Sequence, residues 1–349
     1  MRIAQIAPLI ESVPPRGYGG TERIVAYLTD ELVALGHDVT LFATADSHTR
    51  AQLVPCAELA LRLDHRVQDV LPYHLAMLDQ VRRQAPRFDV LHFHLDLLHF
   101  PLFAATRHRT VTTLHGRLDL PDLRRFYGAF ASMPLVSISL DQRRPLHGAG
   151  HWAGNVYHGL PLSLLKFDPA PTADYLAFLG RFSPEKGPED AIEIARRAGL
   201  PLRMAAKVDR LDRDYWRDVL VPKIESSPHV QCLGEVDEIA KASFLGNAKA
   251  LLFPIDWPEP FGLVLIEAMA CGTPVIAYGR GSVPEIIEHR CNGFIVDSVA
   301  GAAAAVQQLD RLDRNAIRTR FEERFSARRM AEDYVHVYSR LAAGRRRVE

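Results

Sequence analysis

At 349 residues, with 48% hydrophobic and 24% charged residues, the chain has the balance of an ordinary folded protein and is long enough for two cores. Its 42 lysines and arginines equal its 42 aspartates and glutamates, which excludes a global field that would draw in nucleic acid, so any anion site must be local. Four scattered cysteines, Cys56, Cys232, Cys271 and Cys291, have no CxxC spacing; this argues against a zinc site or disulfide framework and fits a reducing compartment.

The start, "MRIAQIAPLIESVPP", is a strand's length of apolar residues broken by prolines, without the pattern of a signal peptide. The longest apolar runs are too short to cross a bilayer. The expectation is a cytoplasmic protein, with membrane contact limited to the periphery. "RIAQIAP" (2–8) reads as a strand, "RGYGGTE" (16–22) as a glycine-rich loop, and "RIVAYLTDELVALG" (23–36) as a helix. Ile24, Leu28, Leu32 and Leu35 share one face of that helix, and Gly36 is placed to cap it. "DVTLFA" (38–43), "FDVLHFH" (88–94), "RTVTTLHG" (109–116) and "PLVSISL" (134–140) are further strands.

After the proline-bearing segment 160–174 the pattern restarts. Strands are expected at 175–180, 202–207, 229–234, 249–254 and 274–279, and one long amphipathic helix over 324–347. Strand–helix alternation implies an α/β fold of two doubly wound, Rossmann-like units. The expected division is 1–165, 166–325 and a C-terminal helix, 326–349, packing back on the first unit. Ligands of such sheets bind beyond the carboxyl ends of the strands, so the loops there, facing one another across a cleft, carry the candidate residues.

"GRFSPEKG" (180–187) puts Arg181 and Lys186 between a strand end and a helix starting near Pro188, the setting of a local diphosphate site; lone surface cations are the plain alternative. Gly19 and Gly20 permit close backbone approach ahead of a helix, as a phosphate cradle or a simple turn. His115 follows a strand and precedes a glycine, in the right place for function. His92 and His94 have the HxH spacing of a metal-dependent hydrolase, with Asp96 nearby, but no second cluster completes a metal site, and packing explains them as well. "DRD" (212–214) is formally a DxD and is assigned to a solvated helix start.

"WPEPFGLVLIEAMACGTPVIA" (257–277) places Glu259 in a rigid loop before a helix and Glu267 inside it. With seven residues between them, they are too far apart to act as acid and base on one atom; they are spaced to grip two hydroxyl-bearing ends of one elongated ligand, a ribose diol being a fitting partner for the acid in the apolar run.

Together "EPFGLVLIEAMACGTPVIA", "GRFSPEKG" and "YGGTERIVAYLTDELVALGHDVTLFA" resemble the family 4 glycosyltransferases, retaining enzymes of the GT-B fold that use nucleotide sugars. The resemblance implies that Glu259 contacts donor-sugar hydroxyls and Glu267 the ribose. It implies that Arg181 and Lys186 bind the diphosphate, with Gly19 and Gly20 approaching the phosphate through backbone N–H groups. His115 would lie beside the donor sugar, and Phe261, Gly262 and Leu263 would bring backbone N–H groups to sugar and phosphate. The run "MAAKVDR" (204–210) departs from the family, which often has a glycine here; Lys207 could be a third cation at the phosphate, and Asp209 could face the same place.

The implied reaction moves a hexosyl group from a UDP- or GDP-sugar to a sugar, glycolipid or other hydroxyl acceptor, with the cations doing the work of a metal, so no metal and no other cofactor is expected. The acceptor would meet the segments 9–18, 92–100 and 116–127, where Arg117, Asp119, Arg124 and Arg125 make a polar wall. A nucleotide-sugar 2-epimerase on the same fold, a binding module without turnover, and the His92/His94 hydrolase are the alternatives.

Overall fold

The computed structural model describes residues 1–17 and 19–345. Tyr18 and residues 346–349, which fall in the expected acceptor wall and C-terminal helix, lie outside the described residues. The chain divides into two compact units. Unit 1 is Met1–Pro161 with the chain from Ala327, and unit 2 is Leu162–Ser326.

Unit 1 holds seven strands: β1 (Arg2–Ile6), β2 (Asp38–Thr44), β3 (Gln52–Ala57), β4 (Val90–Phe93), β5 (Thr110–Thr113), β6 (Pro134–Ser137) and β7 (His151–Asn155). All pair in parallel, in the order β3-β2-β1-β4-β5-β6-β7, with Ile3 opposite both Val39 and Val90. The helices are α1 (Gly20–Ala34), α2 (Leu71–Gln84), the single turn α3 (Phe100–Phe103) and α4 (Pro121–Ala129). The central strands are buried along nearly their whole length, as a parallel sheet covered on both faces requires. On α1 the expected face, Ile24, Leu28 and Leu32, is buried, and Gly36 ends the helix at φ +82°.

Unit 2 repeats the plan with six parallel strands in the order β10-β9-β8-β11-β12-β13. They are β8 (Leu176–Arg181), β9 (Leu202–Lys207), β10 (Val230–Gly234), β11 (Ala250–Phe253), β12 (Val275–Tyr278) and β13 (Gly293–Val296). Its helices are α5 (Pro188–Ala198), the short α6 (Arg213–Tyr215) and α7 (Val221–Glu225), α8 (Glu238–Gly246), α9 (Leu263–Ala270), α10 (Val283–Ile286), α11 (Val299–Val306) and α12 (Arg314–Phe325). Its core gathers Leu176, Phe178, Ile192, Met204, Leu252 and Ile276.

The single C-terminal helix expected over 324–347 is two. Ser326 has extended backbone (ψ 146°) between α12 and α13 (Ala327–Arg345). Phe325 is buried against Phe261 in unit 2, while the Ala327 N–H donates to Leu160 O in unit 1. Serine suits the break because it is a favoured helix-starting residue. From there α13 packs on α1 and on the turn at 104–109, and buries Tyr334 and Tyr338 completely. Among the described residues, no helix is long and apolar enough to cross a membrane.

Candidate functional site

In each sheet the strand order reverses once, between β1 and β4 and between β8 and β11, and ligands of open α/β sheets bind at such points. The residues singled out in unit 2 converge on its reversal. Arg181 is the last residue of β8 and Lys207 the last of β9, and they are paired in register. Asp209 joins them: its Oδ1 lies 3.1 Å from Lys207 Nζ and its Oδ2 3.6 Å from Arg181 Nη1. Arg181 Nη2 also donates to Glu185 Oε1 at 2.5 Å.

Beyond β8 the chain makes one tight turn, Pro184–Lys186, and enters α5 through Gly187 at φ +68°. A Cβ on Gly187 would stand 2.0 Å from Pro254 O, at the end of β11. The Asp256 N–H donates to Glu185 O at 2.9 Å, so the cation-bearing turn and the loop carrying Glu259 are joined backbone to backbone. Lys186 Nζ donates to Glu259 Oε2, and Trp257 Nε1 donates to that same oxygen at 3.0 Å. The ammonium also stands 5.2 Å from the Trp257 ring centroid.

A third segment holds the Glu259 loop from behind. The Ser282 N–H donates to Glu259 O at 3.0 Å, and Ser282 Oγ to Phe261 O at 2.8 Å. Gly281, at φ +54°, lies so close that a Cβ there would be 2.4 Å from both Glu259 N and O. Phe261 is buried, Gly262 takes the left-handed conformation that starts α9 (φ +77°), and Leu263 is the first residue of that helix. The amides after Gly262 therefore stand at a helix N-terminus, where an anion is favoured.

Glu267 is in the second turn of α9, 5% exposed among Leu265, Ile266, Ala268 and Met269. Its charge is met by Lys241 of α8, whose Nζ donates to Glu267 Oε1 at 2.7 Å. Lys241 was not among the residues singled out from the sequence. It looks like any lysine on a mixed helix face, and only the fold brings it to Glu267. Asp214 of the "DRD" run is exposed and pairs with Arg217 on the surface, away from any metal-like cluster.

In unit 1, Gly19 precedes α1 and Gly20 is its first residue; a Cβ on Gly19 would meet Pro15 Cβ at 2.8 Å and Glu22 Oε2 at 3.2 Å. Glu22 is buried, which raises its pKa, although the backbone N–H groups of Glu22 and Glu11 donate to its carboxylate. His115 lies just past β5. Its Nε2 is 2.8 Å from His94 Nδ1, its ring stacks on His158 at 5.3 Å, and its backbone N–H donates to the Asp96 carboxylate.

His92 and His94 are buried, and both nitrogens of each ring are engaged within the protein. His92 contacts Tyr338 OH and Thr113 Oγ1, each at 2.7 Å; His94 contacts His115 Nε2 and Gln5 Oε1, each at 2.8 Å. Burial, then the neighbouring imidazoles, pushes the pKa of both well below the ordinary histidine value. Rings so committed have no lone pair to spare for a metal, and the described residues contain no cluster of three or more metal-ligating side chains. These histidines form a polar core; they do not carry a hydrolase site.

Residues 166–328 match the family model for glycosyl transferases group 1, and residues 18–149 the model for Glycosyltransferase Family 4. Between them the two cover most of the chain. The chain is a family 4 glycosyltransferase. This transferase is 27% identical over 338 residues to a phosphatidyl-myo-inositol mannosyltransferase of Mycolicibacterium smegmatis, covering 88% of this chain and 84% of the relative. It is 26% identical to the N-acetyl-alpha-D-glucosaminyl L-malate synthase of Bacillus anthracis, covering 76% of this chain and 79% of that protein. Among solved structures it resembles the sucrose-phosphate synthase of Thermosynechococcus elongatus, with a TM-score of 0.78, 20% identity and coverage of 99% and 100%. Anabaena HepE in complex with UDP gives 0.75, with 19% identity and coverage of 97% and 100%. These likenesses show the fold, the GT-B arrangement of two Rossmann-like domains in one chain.

Proposed function

We propose that this glycosyltransferase moves a hexosyl group from a UDP- or GDP-sugar to an acceptor hydroxyl with retention of the anomeric configuration and without a metal ion. The observation that carries the reading is the convergence in unit 2 of Arg181, Lys186 and Lys207 at the strand-order reversal, joined by backbone hydrogen bonding to the loop of Glu259. Each cation is held by a carboxylate, which orders it ahead of the ligand it would bind. The three take the diphosphate and stabilise the charge that grows on it as the bond to the sugar C1 breaks. The amides of Phe261, Gly262 and Leu263 add donors to the same phosphate and sugar oxygens. The cluster thereby supplies the charge that a divalent ion supplies in other transferases.

Glu259 accepts from hydroxyls of the transferred sugar through a carboxylate already fixed by Lys186 and Trp257. Glu267 accepts from the ribose diol, with Lys241 holding its other side through the 2.7 Å ion pair. Gly19 and Gly20 offer backbone N–H groups to phosphate, and His115 serves the transferred sugar. In retention without a covalent intermediate, the acceptor hydroxyl attacks C1 on the face the phosphate leaves, and the leaving phosphate oxygen takes its proton. A phosphatidyl-myo-inositol mannosyltransferase and an N-acetyl-alpha-D-glucosaminyl L-malate synthase among the relatives support a lipid head group or a small hydroxyl compound as acceptor, and peripheral membrane contact would suit the first.

A thermal-shift panel of nucleoside diphosphates and nucleotide sugars, with and without EDTA, tests the donor class. A ligand at about 100 times its Kd adds roughly 2.7 kcal/mol of stability. UDP or GDP is expected to stabilise the protein equally in EDTA, and stabilisation seen only with divalent metal would contradict the metal-free reading. Mass analysis of products separates transfer from 2-epimerisation, which needs no acceptor.

A further inference from the structure

One polar network in unit 1 leads to His115 from residues to which the proposed reaction gives no part. Gln5 is fully buried on β1. Its amide Nε2 donates to Tyr338 OH at 3.1 Å, and its Oε1 lies 2.8 Å from His94 Nε2. His94 Nδ1 in turn lies 2.8 Å from His115 Nε2. A carbonyl oxygen only accepts, so the proton in the first bond belongs to His94 Nε2. A neutral imidazole has a single N–H, which leaves His94 Nδ1 bare and able only to accept. The proton in the second bond must therefore sit on His115 Nε2, and His115 Nδ1 is left as a lone pair. That Nδ1 is shielded from solvent and has no hydrogen-bond partner among the described residues. A buried acceptor left without a donor is unusual enough to call for a functional explanation.

We propose that Gln5 and His94 are positioning residues that lock His115 in one neutral tautomer, with Nε2 protonated and Nδ1 presented to accept a hydrogen bond from a substrate hydroxyl. The inference rests on the assignment of His115 to the transferred sugar. Tyr338 supports the relay from the far side: its oxygen accepts from Gln5, and its own proton goes to His92 Nδ1 at 2.7 Å. His92 Nε2–H is then the donor to Thr113 Oγ1, which leads to Tyr334 OH at 2.8 Å. The chain of bonds thus fixes the Gln5 amide from α13 and transmits that orientation to His115. The titratable and charged groups around the pair are His92 on β4, His158 beyond β7, Tyr334 and Tyr338 on α13, Asp96 at the His115 backbone, and Arg329 at the His158 carbonyl. Burial keeps His94 and His158 neutral at physiological pH, which the deduction requires.

The direct test is nitrogen NMR of the full chain labelled at histidine. His115 is expected to show one protonated Nε2 and one bare Nδ1, and His94→Leu is expected to give a tautomer mixture. A protonated Nδ1 in the wild type, or an unchanged pattern in His94→Leu, would overturn the proposal. In kinetics, with release of nucleoside diphosphate from UDP-glucose and GDP-mannose as the probe, His94→Leu should lower kcat roughly 10- to 100-fold while donor KM stays within about threefold, the scale seen when the partner orienting a functional histidine is lost. In a His115→Ala background the same change should cost nothing further; an equal loss in both backgrounds would mean that His94 does not act through His115. If His115→Ala alone leaves turnover intact, the assignment of His115 to the sugar fails, whatever tautomer the spectrum reports. Gln5→Glu covers the case in which His94→Leu does not fold. A carboxylate on His94 Nε2 favours its imidazolium, which would donate to His115 Nε2 and push the proton of His115 to Nδ1. The acid limb of kcat/KM should then move up by about 1–3 pH units. A limb that does not move would count against the relay.

Discussion

Lys241→Met removes the ammonium that meets Glu267, and with it a longer contact, 3.4 Å, to Glu238 one turn before it on α8. Lys241 Nζ stands 2.7 Å from Glu267 Oε1, with the side chains only 14% and 7% exposed. Leu265, Ile266, Ala268 and Met269 on the same helix are fully buried and Glu267 itself is 5% exposed, so water cannot replace the lost ammonium cheaply. Breaking a buried pair by removing one partner costs about 3–5 kcal/mol. In a unit of this size each kcal/mol lowers Tm by about 2–4 °C, so the transition of unit 2 should fall by roughly 10 °C. Calorimetry is the appropriate assay, because a chain of two units need not melt in one step. The double variant Lys241→Met/Glu267→Gln leaves no buried charge and should recover most of the loss. A single variant that melts within about 2 °C of the wild type would refute the reasoning, because Glu267 would then not need its counter-charge.

Gly281→Ala tests how the Glu259 loop is held: a methyl 2.4 Å from Glu259 N and O, at φ +54°, must displace that loop. Turnover should fall about 100-fold, as misplacement of a reacting group by about 1 Å does, and unchanged kinetics would mean that the loop position is immaterial. Lys186→Ala should lower kcat by about 10²–10³, as loss of one preorganised donor does, and near-normal turnover would remove Lys186 from the diphosphate site. Stability should also depend on pH. Burial holds the pKa of His99 and His115 down at about 3, and that of His92, His94 and His158 well below the ordinary 6.5. Below about pH 6.5 the unfolded chain binds more protons than the folded one. The stability these histidines contribute is therefore intact above that pH and is lost as pH falls toward about 3, at up to about 1.4 kcal/mol per pH unit for each. Tm recorded from pH 7.5 to 5 should hold down to about pH 6.5 and fall below it, and a profile flat to pH 5 would contradict neutral buried imidazoles.

Much of this could be read from local sequence. Arg181 and Lys186 stood out because a strand, a glycine-bounded turn and a helix start follow one another within a few residues, and Glu259 and Glu267 because charge is conspicuous in an apolar run. Strands β3, β7 and β13 were not anticipated: they lie at sheet edges, and β3 carries Pro55 in a register that shifts near its end. An edge strand needs neither the continuous apolar run of a central strand nor every backbone donor. What local pattern cannot supply is pairing at a distance. Lys241 meets Glu267 across 26 residues, and Gln5 meets Tyr338 across 333. His92 and His94 show the same limit from the other side, because an HxH spacing looks like metal ligation until Tyr338, Thr113 and Gln5 are seen to occupy the rings.

The central claim is retaining, metal-independent transfer from a nucleoside-diphosphate sugar. Its most direct test is proton NMR of the anomeric centre of the product formed from UDP-glucose or GDP-mannose, with a panel of hydroxyl acceptors, in the presence of EDTA. The account predicts an α-linked product from the α-linked donor, at a rate that EDTA does not change. A β-linked product, or turnover abolished by EDTA and restored by a divalent ion, would contradict it.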